Sequence, residues 1–145
     1  MKYRLLLAAA VAALSAASLS AQTISFSTGD AGLDVSLSSL DLQARNDDGA
    51  FTTELSVSFQ VEQPQIQTWI TVEKLQPAEV YLVLELAKVS RRPPASVITV
   101  YKKNRGKGWG AVARALGIRP GSAEFRALKA DADDRDHRAR GRKRH

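Results

Sequence analysis

The chain has 145 residues, a net charge of +6, no cysteine, and only two histidines, His137 and His145, both within its last nine residues. This excludes a disulfide scaffold, thiolate zinc or iron–sulfur ligation, a cysteine nucleophile and a histidine-based triad in the folded part. The apolar fraction of 44 % is that of an ordinary globular domain and too high for a fully disordered chain.

Met1-Lys2-Tyr3-Arg4 is a basic start, Leu5 to Leu14 an apolar run, and Ser15 to Ala21 a stretch of mostly small residues. This order predicts a cleaved secretory signal over residues 1–21, cut near Ala21. The run is short for a membrane span, so the mature chain is expected to have none and to be periplasmic or extracellular. There it would have no disulfides to rely on, and its core must carry stability alone.

Residues 22–49 read as an extended or short-strand segment. Ile24 and Phe26 alternate with serines, and Leu33, Val35 and Leu37 alternate with Asp34 and Ser36. Thr28 to Gly32 supplies a turn between them. The aspartates match neither the EF-hand nor the glycine–aspartate repeat spacing.

From Phe51 to Val61 two patterns compete. Leu55, Val57, Phe59 and Val61 alternate as a strand would, and alternation favours that reading; Phe51, Leu55 and Phe59 recur at helical spacing. Pro64 suits the first turn of a helix carrying Ile66, Trp69 and Ile70. Pro77 and Glu79 open the clearest helix, apolar nearly all round and therefore central. Pro93-Pro94 ends it and starts another with Val97, Ile98 and Tyr101 at helical spacing, although the β-branched run Val97–Val100 would also suit a strand; after a glycine-rich loop Trp109, Val112, Ala113 and Leu116 mark a further helix. Gly117 is placed as its left-handed cap. Ser122 caps a last short helix with Phe125 and Leu128 facing the core. Residues 131–145 alternate acids and bases with no apolar anchor beyond alanine, and are expected to be a disordered charged tail.

The charge is segregated. Residues 22–85 hold ten acids and two bases, a net −8, whereas 86–130 hold eleven bases and one acid, a net +10. Two arrangements account for this: the halves attract each other within one fold, or a basic face collects anions. The anion-binding candidates are Arg91, Arg92, Lys102, Lys103, Arg105, Lys107 and Arg114. Short antiparallel helices are expected to gather the first six near the Gly106–Gly110 loop. That loop has either of two roles. Gly106, Gly108 and Gly110 make a tight turn in which Trp109 anchors a small core, or its amides cradle a phosphate. The spacing is not that of a P-loop.

The stretch Arg105-Gly-Lys-Gly-Trp-Gly through Pro120-Gly-Ser-Ala-Glu-Phe to Lys129 resembles the C-terminal signature of a family of small exported bacterial proteins without an assigned activity. The Ser27–Asp30, Phe51…Leu55-Ser56 and Pro77-Ala78-Glu79 stretches are similar to other parts of that family. The resemblance implies a helix over Phe51–Val61 and no catalytic residues.

The expected fold is mainly α, a small bundle of short helices over about residues 50–130 behind the extended segment. The expected function is that of an exported, non-enzymatic binding or structural protein of the cell envelope. Its basic face would meet an anionic envelope polymer, a lipid surface or an acidic protein. The alternative is a carbohydrate-active hydrolase working through paired carboxylates, with Asp41, Asp47, Asp48, Glu73 and Glu79 as candidates. The helix from Trp109 has helix-turn-helix character, but export argues against specific nucleic-acid binding. No cofactor and no metal is expected; His137 and His145 are only a weak pointer to one.

Overall fold

The computed structural model describes residues 25–142. The expected signal segment over residues 1–21, its expected cleavage position near Ala21, residues 22–24 and His145 lie outside the described residues. Among the described residues seven helices follow one another: α1 (Ala31–Asn46), α2 (Asp48–Phe59), α3 (Gln63–Thr71), α4 (Pro77–Ser90), α5 (Pro94–Lys103), α6 (Trp109–Ala115) and α7 (Ala123–Arg142). Among the described residues there is no strand, and no helix is long and apolar enough to cross a membrane.

Helix α4 is the axis of the bundle. Every residue from Val80 to Ala87 is buried, as the all-round apolar pattern predicts. A capping box holds its start, with Glu79 accepting from the Gln76 backbone N–H at 2.8 Å. Helices α1, α3, α5 and α7 pack on it, and α2 packs on α1 and α3.

The extended reading of residues 22–49 is corrected over its larger part. Residues 25–30 have no regular structure, but 31–46 are helical. Asp30 starts α1 by accepting from the Leu33 backbone N–H at 2.9 Å. The buried residues are Leu33, Leu37, Leu40 and Ala44, a helical stripe. Val35 completes the apparent alternation, yet it is 63 % exposed, as is Leu42 further along. Alternation misled because exposed apolar residues carry no information about the buried face. The strand reading of Phe51–Val61 fails for the same reason: Leu55 is buried, Phe51 and Phe59 are half-buried, and Val57 is 74 % exposed. The segment is α2 up to Phe59, as the family resemblance implied. Nor is residue 50 a boundary, since Phe26, Leu33, Leu37 and Leu40 belong to the same core as α4.

The disordered tail is likewise corrected. Residues 131–142 continue α7, with Ala132, Arg135 and Asp136 buried. Three ion pairs of acid-before-base i,i+4 spacing run along it, Asp131–Arg135, Asp134–Arg138 and Asp136–Arg140. Polar contacts dock it: Ser36 and Ser39 of α1 donate to Asp133 and Asp136, and Arg135 and Arg142 both reach Glu54 of α2. Charge alternation therefore encodes a helix docked mainly by hydroxyls and a carboxylate, with Ala132 reaching the core and Arg135 lying against the Phe59 and Tyr81 rings.

Gly117 caps α6 with φ 82°, and Ile118, buried, donates its N–H to the Ala113 carbonyl at 2.9 Å. Ser122 accepts from the Phe125 N–H at the start of α7.

The register of α1 separates the two readings by experiment. Leu37→Ala is expected to cost about 2–5 kcal/mol and Val35→Ala less than about 0.5 kcal/mol, measured by urea denaturation. A strand would place both side chains on one face and make the two costs alike.

Candidate functional site

The seven candidate cations do not form one patch. Helices α4 and α5 make an antiparallel hairpin, because Tyr101 in the last turn of α5 donates to Glu79 in the first turn of α4 at 3.1 Å. Arg91 and Arg92 therefore sit at one end and Lys102, Lys103, Arg105 and Lys107 at the other. The ten residues of α5 separate them by about 15 Å, beyond the Debye length of about 8–10 Å in physiological salt. This corrects the expectation that six charges gather beside the Gly106–Gly110 loop.

The two ends also differ in chemistry from what the sequence suggested. Lys102 is spoken for by an ion pair with Glu73. Arg105 lies over the Tyr101 ring, 5.8 Å from its centroid. Lys103 and Lys107 are exposed beside it and have no carboxylate within 4.0 Å among the described residues. The same holds for Arg91, Arg92, Arg114, Arg119 and Arg126. The bland arrangement is thus partly realised: of the eleven bases between 86 and 130, Lys88, Lys102 and Lys129 pair with Glu85, Glu73 and Asp30.

The Gly106–Gly110 loop anchors the N-terminal segment. The Trp109 and Gly110 N–H groups donate to the Phe26 and Ser27 carbonyls at 2.9 and 3.0 Å. These two amides, at the start of α6, are therefore not open to a phosphate. Close approach explains the glycines: a Cβ at Gly110 would lie 2.7 Å from the Thr28 carbonyl oxygen, and one at Gly108 2.8 Å from that of Ser27. Gly106 stands in open space. Trp109 is buried, stacks on Tyr101 with centroids 4.7 Å apart, and donates its indole N–H to Glu79 at 3.2 Å. Burial, then the charge of Glu79, push the Tyr101 hydroxyl above its ordinary value.

The candidate catalytic carboxylates do not face one another across a cleft. Asp41 is buried and paired with Arg45, Asp47 and Asp48 lie at the start of α2, Glu73 pairs with Lys102, and Glu79 serves the corner just described. Asp47 does share a cavity with Glu54, but the two lie on one side of α2, about 10 Å apart along its axis. Among the described residues no three His, Asp or Glu side chains come together as a metal site.

A second polar centre was not read from the sequence. Arg135, only 7 % exposed, lies between the rings of Phe59 and Tyr81, 5.1 and 5.3 Å from their centroids. Its Nε donates to Asp131 at 2.6 Å and its Nη1 to Glu54 at 3.2 Å. Asp131 accepts in addition from the Tyr81 hydroxyl at 3.0 Å. Burial raises the Asp131 carboxyl, but the hydrogen bond and charge of Arg135 outweigh it and hold it below the ordinary carboxylate value. Glu85, 1 % exposed, goes the other way: burial, then the charge of Asp131, push it up against the opposing pull of Lys88. The centre adjoins a cavity of about 310 Å³ between α1, α2 and α7, lined in part by Leu40, Phe51, Leu55, Glu54, Arg135 and Arg142. The i,i+4 pair Asp131–Arg135 was the available signal, hidden because nothing in a charge pattern says which member is buried.

Two predictions follow from these sites. Gly110→Ala forces a backbone shift against Thr28 and is expected to cost about 1–3 kcal/mol. Its thermal midpoint should fall clearly below that of Gly106→Ala, which meets only the backbone preference. For Glu85, a raised folded value means the native state takes up its proton first, so this group's contribution to stability grows as pH falls towards its ordinary value of 4.5. Asp30, Asp131 and Asp136 are held down and lose their contribution only as pH falls below about the ordinary aspartate value. Relative to the wild type, Glu85→Gln is therefore expected to gain stability near pH 7 and to lose that advantage towards about pH 5. Denaturant midpoints at the two pH values check this; a difference independent of pH would contradict it.

No family model matches the chain, and no match was found among the curated proteins or among the solved structures.

Proposed function

We propose that this chain is an exported, non-enzymatic binding module of the cell envelope that meets anionic polymers or lipid surfaces through the α5–α6 corner. The observation that carries the reading is the imbalance there. Lys103 and Lys107 are exposed and unpaired among the described residues, Arg105 is held over an aromatic ring, and of the acids nearby Glu73 is taken by Lys102 while Glu79 accepts from the Tyr101 hydroxyl and the Trp109 indole. The Trp109–Tyr101–Glu79 contacts and the amide bonds to Phe26 and Ser27 make this corner a stiff platform. Cations carried on a stiff backbone attract a polyanion without a backbone-ordering cost in the protein. The signal-like start and the resemblance to small exported bacterial proteins support the location.

The hydrolase alternative has less behind it. Both oxygens of Glu54, the acid that shares a cavity with Asp47, are engaged by Arg135 and Arg142 at 3.2 and 2.9 Å.

Salt-dependent retention on heparin and on anionic vesicles tests the proposal. Lys103→Glu, Arg105→Glu and Lys107→Glu combined should abolish retention at low salt, while Arg91→Glu with Arg92→Glu, at the far end of the hairpin, should reduce it less. Equal retention of the triple variant and the wild type would sink the reading, as would an unprocessed product that stays in the cytoplasm on fractionation.

A further inference from the structure

We infer that the partner at the basic corner is a long linear polyanion that lies along the outer face of α5 and is held at both ends of that helix. The inference rests on the reading of the α5–α6 corner as an anion-binding surface and adds the shape of what binds there. The two groups of cations cannot act together on a small anion, because their separation of about 15 Å exceeds the Debye length of about 8–10 Å. They act on one molecule only if that molecule is long enough to reach both.

The surface between them is open to such a chain. Val97 and Ile98 are buried, so α5 turns its opposite side outward. Ala95, Thr99 and Lys103 are exposed and recur every four residues, one stripe along that side. Arg92, also exposed, precedes the stripe, and Lys103 ends it. The Thr99 hydroxyl donates back to the Ala95 carbonyl at 3.0 Å, which leaves methyl groups and no charge midway.

The acids at the two ends do not cancel the cations. The sequence itself holds no acid from Leu86 to Ala123. At the corner, Glu73 and Glu79 stand against Lys102, Lys103, Arg105 and Lys107, a surplus of two positive charges. At the other end Lys88 answers Glu85, which leaves Arg91 and Arg92. Glu62 follows Val61, which shares a shallow groove with Arg92; with it counted, the surplus there is still one. The helix thus presents two positive ends joined by a neutral strip.

This layout suits a strand better than a bilayer. Attachment to a lipid surface uses apolar side chains inserted beside the headgroups. The large exposed apolar residues are Val35 and Leu42 on α1, Val57 on α2 and Val72 just after α3, and α5 carries none. A flexible strand needs no such anchor. Once one end is bound, the second group of cations meets it at a high effective concentration. Arginine at each end matches the oxyanions of a phosphate or sulfate chain.

Long-chain polyphosphate and tripolyphosphate carry the same group and differ in reach, the second being too short to span α5. Both are titrated against the purified full chain in about 0.15 M salt. Arg91→Gln with Arg92→Gln removes two exposed, unpaired side chains, and an unchanged thermal midpoint shows that the variant is folded. This pair should weaken the long chain by at least about tenfold and flatten its salt dependence. It should shift tripolyphosphate by less than about twofold, since distant sites act independently on a short ligand. The proposal is overturned if the pair leaves the long chain unaffected, or if it weakens tripolyphosphate as much. It is overturned equally if phosphatidylglycerol vesicles lose as much affinity as the long chain. Heparin retention that still depends on Lys103, Arg105 and Lys107 would keep the corner reading while the two-ended strand fails; loss of that dependence would remove both.

Discussion

The fully buried stretch of α4, Val80–Ala87, carries two polar side chains, Tyr81 and Glu85, that need partners. Water cannot serve them, so neighbouring helices must. Asp131 of α7 accepts from Tyr81, Lys88 covers Glu85, and Arg135 neutralises Asp131 while reaching Glu54 on α2. One chain of contacts thus runs from the axis of the bundle through α7 to α2. It explains why the second half of α7, with no apolar side chain larger than alanine, is nevertheless part of the fold. A buried guanidinium between two carboxylates and two aromatic rings is well placed geometrically, and such a centre is specific about its partners because leaving any member unpaired is costly.

The second fixed point is the corner where the N-terminal segment meets α6. Two backbone hydrogen bonds from Trp109 and Gly110 to Phe26 and Ser27 join residues more than eighty positions apart. They need a backbone approach that only glycine permits. Phe26 enters the core there, and Trp109 reaches back to α4 through Glu79. The ends of the described chain are therefore pinned by different means: the N-terminal end by backbone pairing at glycines, the C-terminal end by ion pairs.

Charge segregation along the sequence translates only in part into segregation in space. Acids of the first half neutralise Lys102 and Lys129 across the fold, and Glu54 takes both Arg135 and Arg142. The cations of residues 86–130 that remain unpaired among the described residues are distributed over the α4–α5, α5–α6 and α6–α7 connections and over α5, α6 and α7 themselves. Exposed ion pairs contribute little stability each, so the leftover cations are a property of the surface and bear on what the surface attracts.

Local pattern alone determined the central helix, its proline start, the α6 segment, and the Gly117 and Ser122 caps. The signals are an all-round apolar composition for α4, a helical apolar stripe for α6, and backbone requirements at the proline and the caps; in α5 a proline start competes with a β-branched run that also suits a strand. Local pattern also determined that the glycine-rich loop adjoins a core tryptophan. Tertiary structure decided the rest. Val35, Leu42 and Val57 are exposed, and only their neighbours could say so; with them discounted, α1 and α2 read as helices. Arg135 is buried whereas Arg138, with the same i,i+4 acid, is exposed, because Phe59, Tyr81 and Glu54 arrive from other helices to receive one of them. The cations of one sequence half fall at opposite ends of a hairpin because the reversal at Pro93-Pro94 sets α5 antiparallel to α4. The residue types that make a surface or a cavity can be read from the chain, but which of them meet depends on how the helices cross.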